Sequence, residues 1–203
     1  ADHCAELREG SFLLVDSGAQ YLGGTTDITR TIPLGEVPGS YRRDYTLVLQ
    51  AFIRLHAARF PEGCTGKSLD VLSRQVMWEN YLDYKHGTGH GVGCYLNDHE
   101  GPTNFANARV PMEEGMVISI EPGIYRAGML GVRTENLVTV VRDKRSDEFG
   151  QFFRFEPLTL CPINTQAIET KMLSRSEVAW LNQYHSYVFE QLSPMLEPEE
   201  RKW

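Results

Sequence analysis

The chain has 203 residues, of which 41% are hydrophobic and 23% charged, and this is the composition of an ordinary globular protein. Its net charge of −7 argues against a surface for nucleic acid or for an anionic membrane. No segment approaches the roughly 18 consecutive apolar residues of a membrane span, and residues 1–10 do not resemble a signal peptide. Four cysteines without C-x-x-C spacing favour reduced thiols in a cytoplasmic protein over a disulfide framework: Cys4, Cys64, Cys94 and Cys161.

The first half of the chain predicts a β-hairpin followed by two helices. Residues 11–16 (SFLLVD) form a short apolar run and residues 27–32 (DITRTI) alternate with β-branched residues, so they predict two paired strands. Residues 33–40 contain prolines and glycines and predict a loop. Apolar residues at helical spacing predict helices over residues 41–60 and 69–82.

The second half predicts short strands and a terminal helix. The strands are expected over residues 115–121, 132–141 and 152–160, where β-branched and aromatic residues are concentrated. Ser174 and Glu177 fit a capping box ahead of an apolar stripe, so a helix is expected to begin there. This order predicts an α+β fold with a mostly antiparallel sheet, and no linker divides the chain.

Four acidic residues lie in otherwise apolar strands, where acidic residues are uncommon: Asp16, Asp27, Glu121 and Glu135. One such residue would be interpreted as a strand-end carboxylate that meets water. Four of them, at strand ends that face a turn or loop, predict a cluster. Clustered carboxylates need compensating charge, and oxygen ligands with an imidazole suit a hard divalent ion such as manganese better than a sulfur-rich zinc site does. Two such ions, bridged by carboxylates, would use all four residues and activate water for hydrolysis.

Residues 86–99 (HGTGHGVGCYLNDH) hold three of the six histidines together with four glycines. Histidine is a common metal ligand and acid/base group, and glycine lets the backbone approach other groups closely. His90 is the predicted nitrogen ligand, although alone it would be interpreted as a hydrogen-bonded loop histidine. The stretch therefore predicts one wall of a site.

The remaining histidines carry simpler interpretations. His56 lies on a helix stripe and is expected to be packed, whereas His3 and His185 are expected at the surface. Tyr125 and Arg133 flank the acidic strands and by themselves would indicate packing and an ion pair.

Several motifs together resemble the pita-bread metallopeptidases: VDSGAQY with TTDITRT, HGTGHGVG with NDHEGP, SIEPGIY, and VRTEN. Within that family the chain is most similar to the Xaa-Pro aminopeptidases (aminopeptidase P) of the long cytosolic type, over residues 10–191. The motifs occur in order, with an eleven-residue step between the aspartates and a fourteen-residue step between the glutamates. The resemblance implies a pita-bread fold in which helices cover the antiparallel sheet.

The resemblance also sets an expectation for the extent of the domain. Residues 1–203 would be one catalytic metallopeptidase domain whose first part is absent, with residues 153–203 as a C-terminal extension. In the family a further active-site histidine precedes the position of Asp16, and long-type members carry two amino-terminal domains. One local departure is Asp98, which replaces an apolar residue beside His99.

By resemblance, five side chains would hold two manganese ions. Asp27 and Glu135 would bridge the ions, Asp16 would serve one of them, and His90 and Glu121 would serve the other.

Further roles follow from the same resemblance. His86 and His99 would hydrogen-bond the carbonyl oxygen of the scissile bond and stabilise the oxyanion, and Glu121 would shuttle a proton. Arg133 would position Glu135 and its neighbours, and Tyr125 is a candidate wall of an apolar pocket for proline.

The activity implied is that of an exopeptidase that removes the N-terminal residue from peptides with proline in second position. Such peptides and a second copy of the chain are the implied partners, and the cytoplasm is the implied location. Prolidase, which cleaves Xaa-Pro dipeptides and shares the five ligands, is the nearest alternative. A catalytically silent module that binds peptides or proteins is another, and methionine aminopeptidase is disfavoured because its surroundings of the histidine are absent.

Overall fold

The structure is a computed structural model that describes residues 6–95, 97–145 and 147–202. A long β-hairpin opens the described chain, with β1 (Ser11–Tyr21) and β2 (Gly24–Leu34) paired antiparallel along their whole length. The predicted strand pair is confirmed, but both strands run further toward the turn than expected. Asp16 and Asp27 therefore lie in the middle of strands, and the prediction that they end strands is wrong, because backbone pairing continues past both.

Two helices follow the hairpin, as predicted. Helix α1 (Gly39–His56) is shorter than expected, because β3 (Arg59–Pro61) pairs with a later strand and takes the last residues of the predicted helix. Helix α2 (Gly66–Trp78) begins after Thr65, whose hydroxyl accepts a hydrogen bond from the amide of Ser68.

Six strands form a central sheet in the part of the chain that the structure describes. Besides β3, they are β4 (His90–Val92), β5 (His99–Asn104), β6 (Val117–Ile120), β9 (Asn136–Arg142) and β10 (Phe152–Pro157). Their order is β3–β10–β9–β6–β4–β5, and each described pair is antiparallel, as predicted. A separate pair joins β7 (Gly123–Arg126) to β8 (Leu130–Arg133).

The single strand predicted over residues 132–141 is wrong. The structure divides it into β8 and β9, which belong to different sheets, with Thr134 and Glu135 between them. At this break the amide of Glu135 donates to the carbonyl oxygen of Thr29, 3.1 Å away on β2. The chain therefore leaves one ladder to contact the hairpin, and this places Glu135 beside β2.

Helix α1 lies at the centre of the hydrophobic core, and it packs against α2, against β6 to β8 and against the terminal helix α3 (Arg175–Leu192). The predicted capping box is confirmed, since the Ser174 hydroxyl and the Glu177 carboxylate each accept a backbone hydrogen bond. Three short 3-10 turns complete the described elements: Thr170–Met172, Ser193–Met195 and Glu200–Lys202. None of the described helices is long and apolar enough to cross a membrane.

The histidines outside the glycine-rich stretch differ in their surroundings. His56 is buried between Phe52 and Trp180, with ring centroids 5.4 and 4.8 Å away, so its predicted packing is confirmed. The surface position predicted for His185 is wrong, because the residue is half-buried and its Nε2 accepts from the amide of Ile163 at 3.0 Å.

His3 and Cys4 lie outside the described residues. Cys64, Cys94 and Cys161 are free thiols.

Candidate metal centre

The hairpin presents one polar face to the rest of the molecule. Along β2 the buried residues alternate and include Thr25, Asp27, Thr29 and Thr31. In the register of the hairpin Asp16 lies opposite Thr29, and Gly18 lies opposite Asp27. Asp16 and Asp27 are therefore diagonal neighbours on the same face, and the eleven-residue step between them is the consequence of a tight hairpin.

Glycines allow the histidine-bearing stretch to lie directly against neighbouring backbone. A Cβ atom on Gly89 would lie 1.8 Å from the carbonyl oxygen of Ser119, and one on Gly91 would lie 2.1 Å from that of Glu100. Neither distance is compatible with any side chain, so only glycine fits at these positions. The close approach seats β4, and with it His90, against β6.

Both glutamates are fixed by hydrogen bonds to other elements. The amide of Glu121, directly after β6, donates to the carbonyl oxygen of Thr88 at 2.8 Å. Glu135 is 1% exposed, and its Oε2 accepts a 2.6 Å hydrogen bond from the Thr29 hydroxyl.

Three predicted ligands converge in the interior. One ligand atom each from Asp27, His90 and Glu135 lies within 4.8 Å of the others. The Nε2 atom of His90 is 3.4 Å from Oδ2 of Asp27 and 3.2 Å from Oε1 of Glu121, so Glu121 joins the group through His90. Asp16 lies at the edge of this cluster, with its side chain 49% exposed and its carboxylate hydrogen-bonded to Arg133.

The orientation of His90 leaves one nitrogen facing the carboxylates. Its Nδ1 atom donates to the carbonyl oxygen of Gly91 at 2.9 Å, since a carbonyl can only accept. The carboxylates raise the pKa of His90, so Nε2 is protonated toward Asp27 and Glu121 when no cation is bound; once that proton is lost, Nε2 carries a lone pair that faces the two carboxylates. This is the tautomer that a metal ligand requires.

The electrostatics of the cluster are those of a site built for cations. Burial and the negative charge of Glu121 raise the pKa of Glu135 to about 8, and the Thr29 hydroxyl only partly opposes this shift. Burial disfavours the charged form of His90, yet the carboxylates of Asp27 and Glu121 raise its pKa to about 10. Buried like charges of this kind require a positive partner, and a set of carboxylate oxygens with one imidazole fits hard divalent ions.

A hydrogen-bonded chain runs from Asp16 to His86. The guanidinium of Arg133 contacts Asp16, Thr29 and Tyr125, with 3.0 Å from Nε to the Thr29 hydroxyl and 2.9 Å from a terminal nitrogen to the Tyr125 hydroxyl. The Tyr125 hydroxyl lies 2.9 Å from Nε2 of His86. Because His86 Nδ1 donates to the carbonyl oxygen of Gly87, the neutral ring accepts the tyrosine proton at Nε2.

His99 differs from the other two histidines of the stretch, because it is largely exposed. Its ring stacks on His90 with centroids 3.6 Å apart, and its Nε2 is 3.6 Å from Oδ2 of Asp98. Asp98, which stands where the family has an apolar residue, thus places a carboxylate beside this ring. One ligand atom each of His90, Asp98 and His99 lies within 4.8 Å of the others, so His99 meets the cluster at His90 and beside Asp98.

Two hydroxyl residues were missed by the sequence analysis. Thr29 accepts from Arg133 and donates to Glu135, so it links a cation to a predicted bridging carboxylate. Ser119 accepts from the amide of His90 at 3.0 Å and donates to Oε1 of Glu121 at 3.1 Å. The strand alternation that carries Asp27 inward also carries Thr29 inward, and this signal was available in the sequence.

Residues 1–142 match metallopeptidase family M24. The chain belongs to this family. Residues 151–203 also match the C-terminal region of peptidase_M24.

Relatives in family M24 extend beyond the chain. A probable Xaa-Pro aminopeptidase P from Tuber melanosporum is 44% identical over 211 residues, which cover 100% of this chain and 34% of the relative. Aminopeptidase P1 from Lotus japonicus is 43% identical over 208 residues, which cover 100% of this chain and 32% of the relative. The chain therefore spans about a third of the length of the curated relatives it matches.

Solved structures confirm the predicted fold class. The crystal structure of X-prolyl aminopeptidase from Caenorhabditis elegans, a cytosolic enzyme with a di-nuclear active site, superposes with a TM-score of 0.89 at 40% identity, over 95% of this chain and 32% of that one. Prolidase from Pyrococcus furiosus superposes with a TM-score of 0.59 at 38% identity, over 71% of this chain and 41% of that one. The M24 chain has the α+β, pita-bread fold that its motifs predicted.

Proposed function

We propose that this chain is the catalytic metallopeptidase domain of an Xaa-Pro aminopeptidase, with residues 153–203 as its C-terminal extension. The protein would remove the N-terminal residue from peptides with proline in second position. The observation that carries the proposal is the convergence of Asp27, His90 and Glu135 within 4.8 Å, in a chain of family M24. Among the solved structures compared, X-prolyl aminopeptidase from Caenorhabditis elegans superposes over 95% of the chain with a TM-score of 0.89, and the Pyrococcus furiosus prolidase superposes over 71% with a TM-score of 0.59.

The proposed ligands are Asp16, Asp27, His90, Glu121 and Glu135, with Asp27 and Glu135 shared between two ions. Manganese is the metal we propose, since the set is rich in oxygen and lacks sulfur. Two divalent ions bound there would supply the nucleophile for hydrolysis by acidifying water.

Side chains around the centre would transfer protons and hydrogen-bond the substrate carbonyl oxygen. Glu121 would accept and return a proton at its carboxylate, which Ser119 holds in place. In the neutral ring Nδ1 of His86 donates to Gly87 and Nε2 accepts from the Tyr125 hydroxyl, so His86 would need a second proton, at Nε2, to donate to the carbonyl oxygen as it becomes negative. His99, whose ring is exposed beside His90, would donate to the same oxygen from the solvent side.

The rim of the centre would orient the substrate. The half-exposed carboxylate of Asp16 is suited to a nearby ammonium, as expected for the free N-terminus of a peptide. Tyr125 is 45% exposed, and its ring would form one wall of the pocket for proline. Arg133 would orient Asp16, Tyr125 and, through Thr29, Glu135.

The substrate class is tested by comparing the hydrolysis of Arg-Pro-Pro with that of Gly-Pro by the intact, manganese-loaded protein. The proposal expects arginine to be released from Arg-Pro-Pro and Gly-Pro to be a poor substrate, and Arg-Ala-Ala controls for the proline requirement. Preferential cleavage of Gly-Pro would identify a prolidase instead. Binding of the tripeptide without cleavage, at full metal loading, would identify a silent peptide-binding module.

We further propose that the intact protein is a cytoplasmic homodimer. The location is supported by the similarity to the Caenorhabditis elegans enzyme, which is described as cytosolic, and the homodimer rests on the resemblance to the long-type family alone. Sedimentation analysis of the intact protein would test the dimer, and a monomer at micromolar concentration would contradict it.

A further inference from the structure

A charged pair on helix α2 lies beneath the stretch that carries His86. The Nε atom of Arg74 donates to Oδ2 of Asp70 at 2.6 Å, one helical turn away, and both side chains are about 15% exposed. In the part of the chain that the structure describes, neither residue forms a hydrogen bond or ion pair with a proposed metal ligand. The pair is therefore outside the site described above.

The remaining donors of Arg74 are directed at one irregular segment, residues 83–86. The guanidinium donates to the carbonyl oxygens of Tyr84 at 2.9 Å and His86 at 2.7 Å, and to the carboxylate of Asp83 at 3.1 Å. It also lies 4.2 Å from the centroid of the Tyr84 ring. Only arginine has a rigid fork of five N–H groups that reaches several acceptors in fixed directions.

Asp70 is linked through Thr88 to Glu121, one of the proposed metal ligands. Its Oδ1 atom accepts from the Thr88 hydroxyl, which also shares a 2.5 Å hydrogen bond with the Tyr84 hydroxyl. The carbonyl oxygen of Thr88 in turn accepts from the amide of Glu121 at 2.8 Å. Arg74 thus restrains the backbone up to His86, and Asp70 restrains Thr88. Through the backbone of Thr88, Asp70 also restrains the position of Glu121.

We propose that Arg74 and Asp70 are positioning residues for the reaction, acting on His86 and Glu121 through the backbone of residues 83–88. This inference rests on the proposed exopeptidase function. The segment has neither helical nor strand pairing of its own before His90, so the side chains of α2 supply its order. A displacement of about 1 Å in a catalytic group lowers a rate by up to about a hundredfold.

The test uses the intact protein with manganese and three variants: Arg74→Met, Arg74→Lys and Asp70→Asn. The control is Arg142→Met, which removes a more exposed arginine on β9 whose Nε also donates to a carboxylate, that of Glu114, at 2.7 Å. The measurements are kcat and KM for Arg-Pro-Pro, metal content, amide exchange of residues 83–88, and the imidazole resonances of His86 in selectively labelled protein without manganese, because paramagnetic manganese would broaden them.

Arg74→Met and Asp70→Asn are expected to lower kcat about 10- to 100-fold, with two metal ions retained and KM changed less than threefold. Exchange of residues 83–88 should accelerate and the His86 resonances should shift. Arg74→Lys should show smaller changes in kcat, exchange and the His86 resonances than Arg74→Met, because lysine keeps the positive charge but lacks the planar guanidinium. Arg142→Met should match the wild type in all four measurements.

Unchanged kcat together with unchanged exchange in Arg74→Met would overturn the inference. A loss of metal in parallel with kcat would also overturn it, because the pair would then support the cluster as a whole. If the wild type cleaves no Xaa-Pro peptide, the proposed function fails. Exchange and the His86 resonances would still decide whether the pair orders the segment.

Discussion

Thr29→Val is the sharpest single test of how the centre is held together. Thr29 is fully buried, and its hydroxyl donates to Oε2 of Glu135 at 2.6 Å while accepting from Nε of Arg133 at 3.0 Å. Valine has the same shape and the same preference for strands, so the substitution removes the hydroxyl and little else. After it, Glu135 loses the hydrogen bond that orients its carboxylate toward Asp27 and His90.

The expected size of the effect follows from the kind of bond removed. A hydrogen bond to a charged group contributes about 1.5–3 kcal/mol, and each 1.4 kcal/mol corresponds to a factor of ten in affinity. If part of this energy is expressed in the geometry of a bridging ligand, the affinity for manganese falls about 10- to 100-fold. The free energy of unfolding should fall as well, since a buried carboxylate oxygen is left without its donor.

A neighbouring threonine supplies the control. Thr31 lies on the same face of β2 and is 2% exposed, but its hydroxyl donates to the backbone carbonyl of Arg133 at 2.9 Å and accepts from the Arg133 amide at 3.1 Å. Thr31→Val should therefore lower stability without changing metal affinity. Chelator competition gives the affinity of each variant, and thermal unfolding gives its stability. Equal metal affinities for the two variants would refute the role of Thr29.

Three further outcomes are expected of the intact protein. Glu135→Gln should abolish peptide cleavage and leave fewer than two metal ions per chain, and full activity with two ions would contradict the bridging role. His90→Ala should lose metal, whereas His99→Ala should keep it and lower kcat by about two to three powers of ten; the opposite pattern would exchange their roles. Burial lowers the pKa of His56 to about 4, so the unfolded chain binds more protons between about pH 6.5 and pH 4 and stability falls on acidification by up to about 3 kcal/mol. Urea titrations of His56→Phe should lack this pH dependence, and an unchanged slope would locate it elsewhere.

The order of elements and the residues of the candidate site could be predicted from local patterns and from the family resemblance. Alternation around Asp27, the capping box at Ser174 and the glycines between His86 and His99 all act over a few residues. The rearrangement at Glu135 could not be found this way, because residues 132–141 alternate like one strand. The contact that divides them joins Glu135 to Thr29, 106 positions away in the sequence.

Residues that contact the candidate site through the backbone or a hydroxyl, such as Arg74 and Ser119, could not be predicted either, because local sequence pattern does not record these contacts. Arg74 has an ordinary i,i+4 partner, and in the sequence this pattern indicates only a solvated helix face. Its importance comes from the carbonyl oxygens of Tyr84 and His86, and backbone acceptors leave no trace in side-chain composition. Hydroxyls such as Ser119 are equally inconspicuous, because serine is common in every class of structure.

The origin of the candidate ligands in separate parts of the fold has a mechanical consequence. Asp16 and Asp27 belong to the hairpin, whereas His90 and Glu121 belong to the central sheet and its continuation. Ions bound by residues of both parts would hold the hairpin against the central sheet. At a free ion concentration of 100 Kd, this binding would stabilise the joined form by about 2.7 kcal/mol over any form in which the hairpin and the sheet separate. Chelation would then weaken the contact between the hairpin and the central sheet. We expect a protease to cleave the hairpin turn at Leu22 and Gly23 faster in the metal-free protein than in the metal-loaded one.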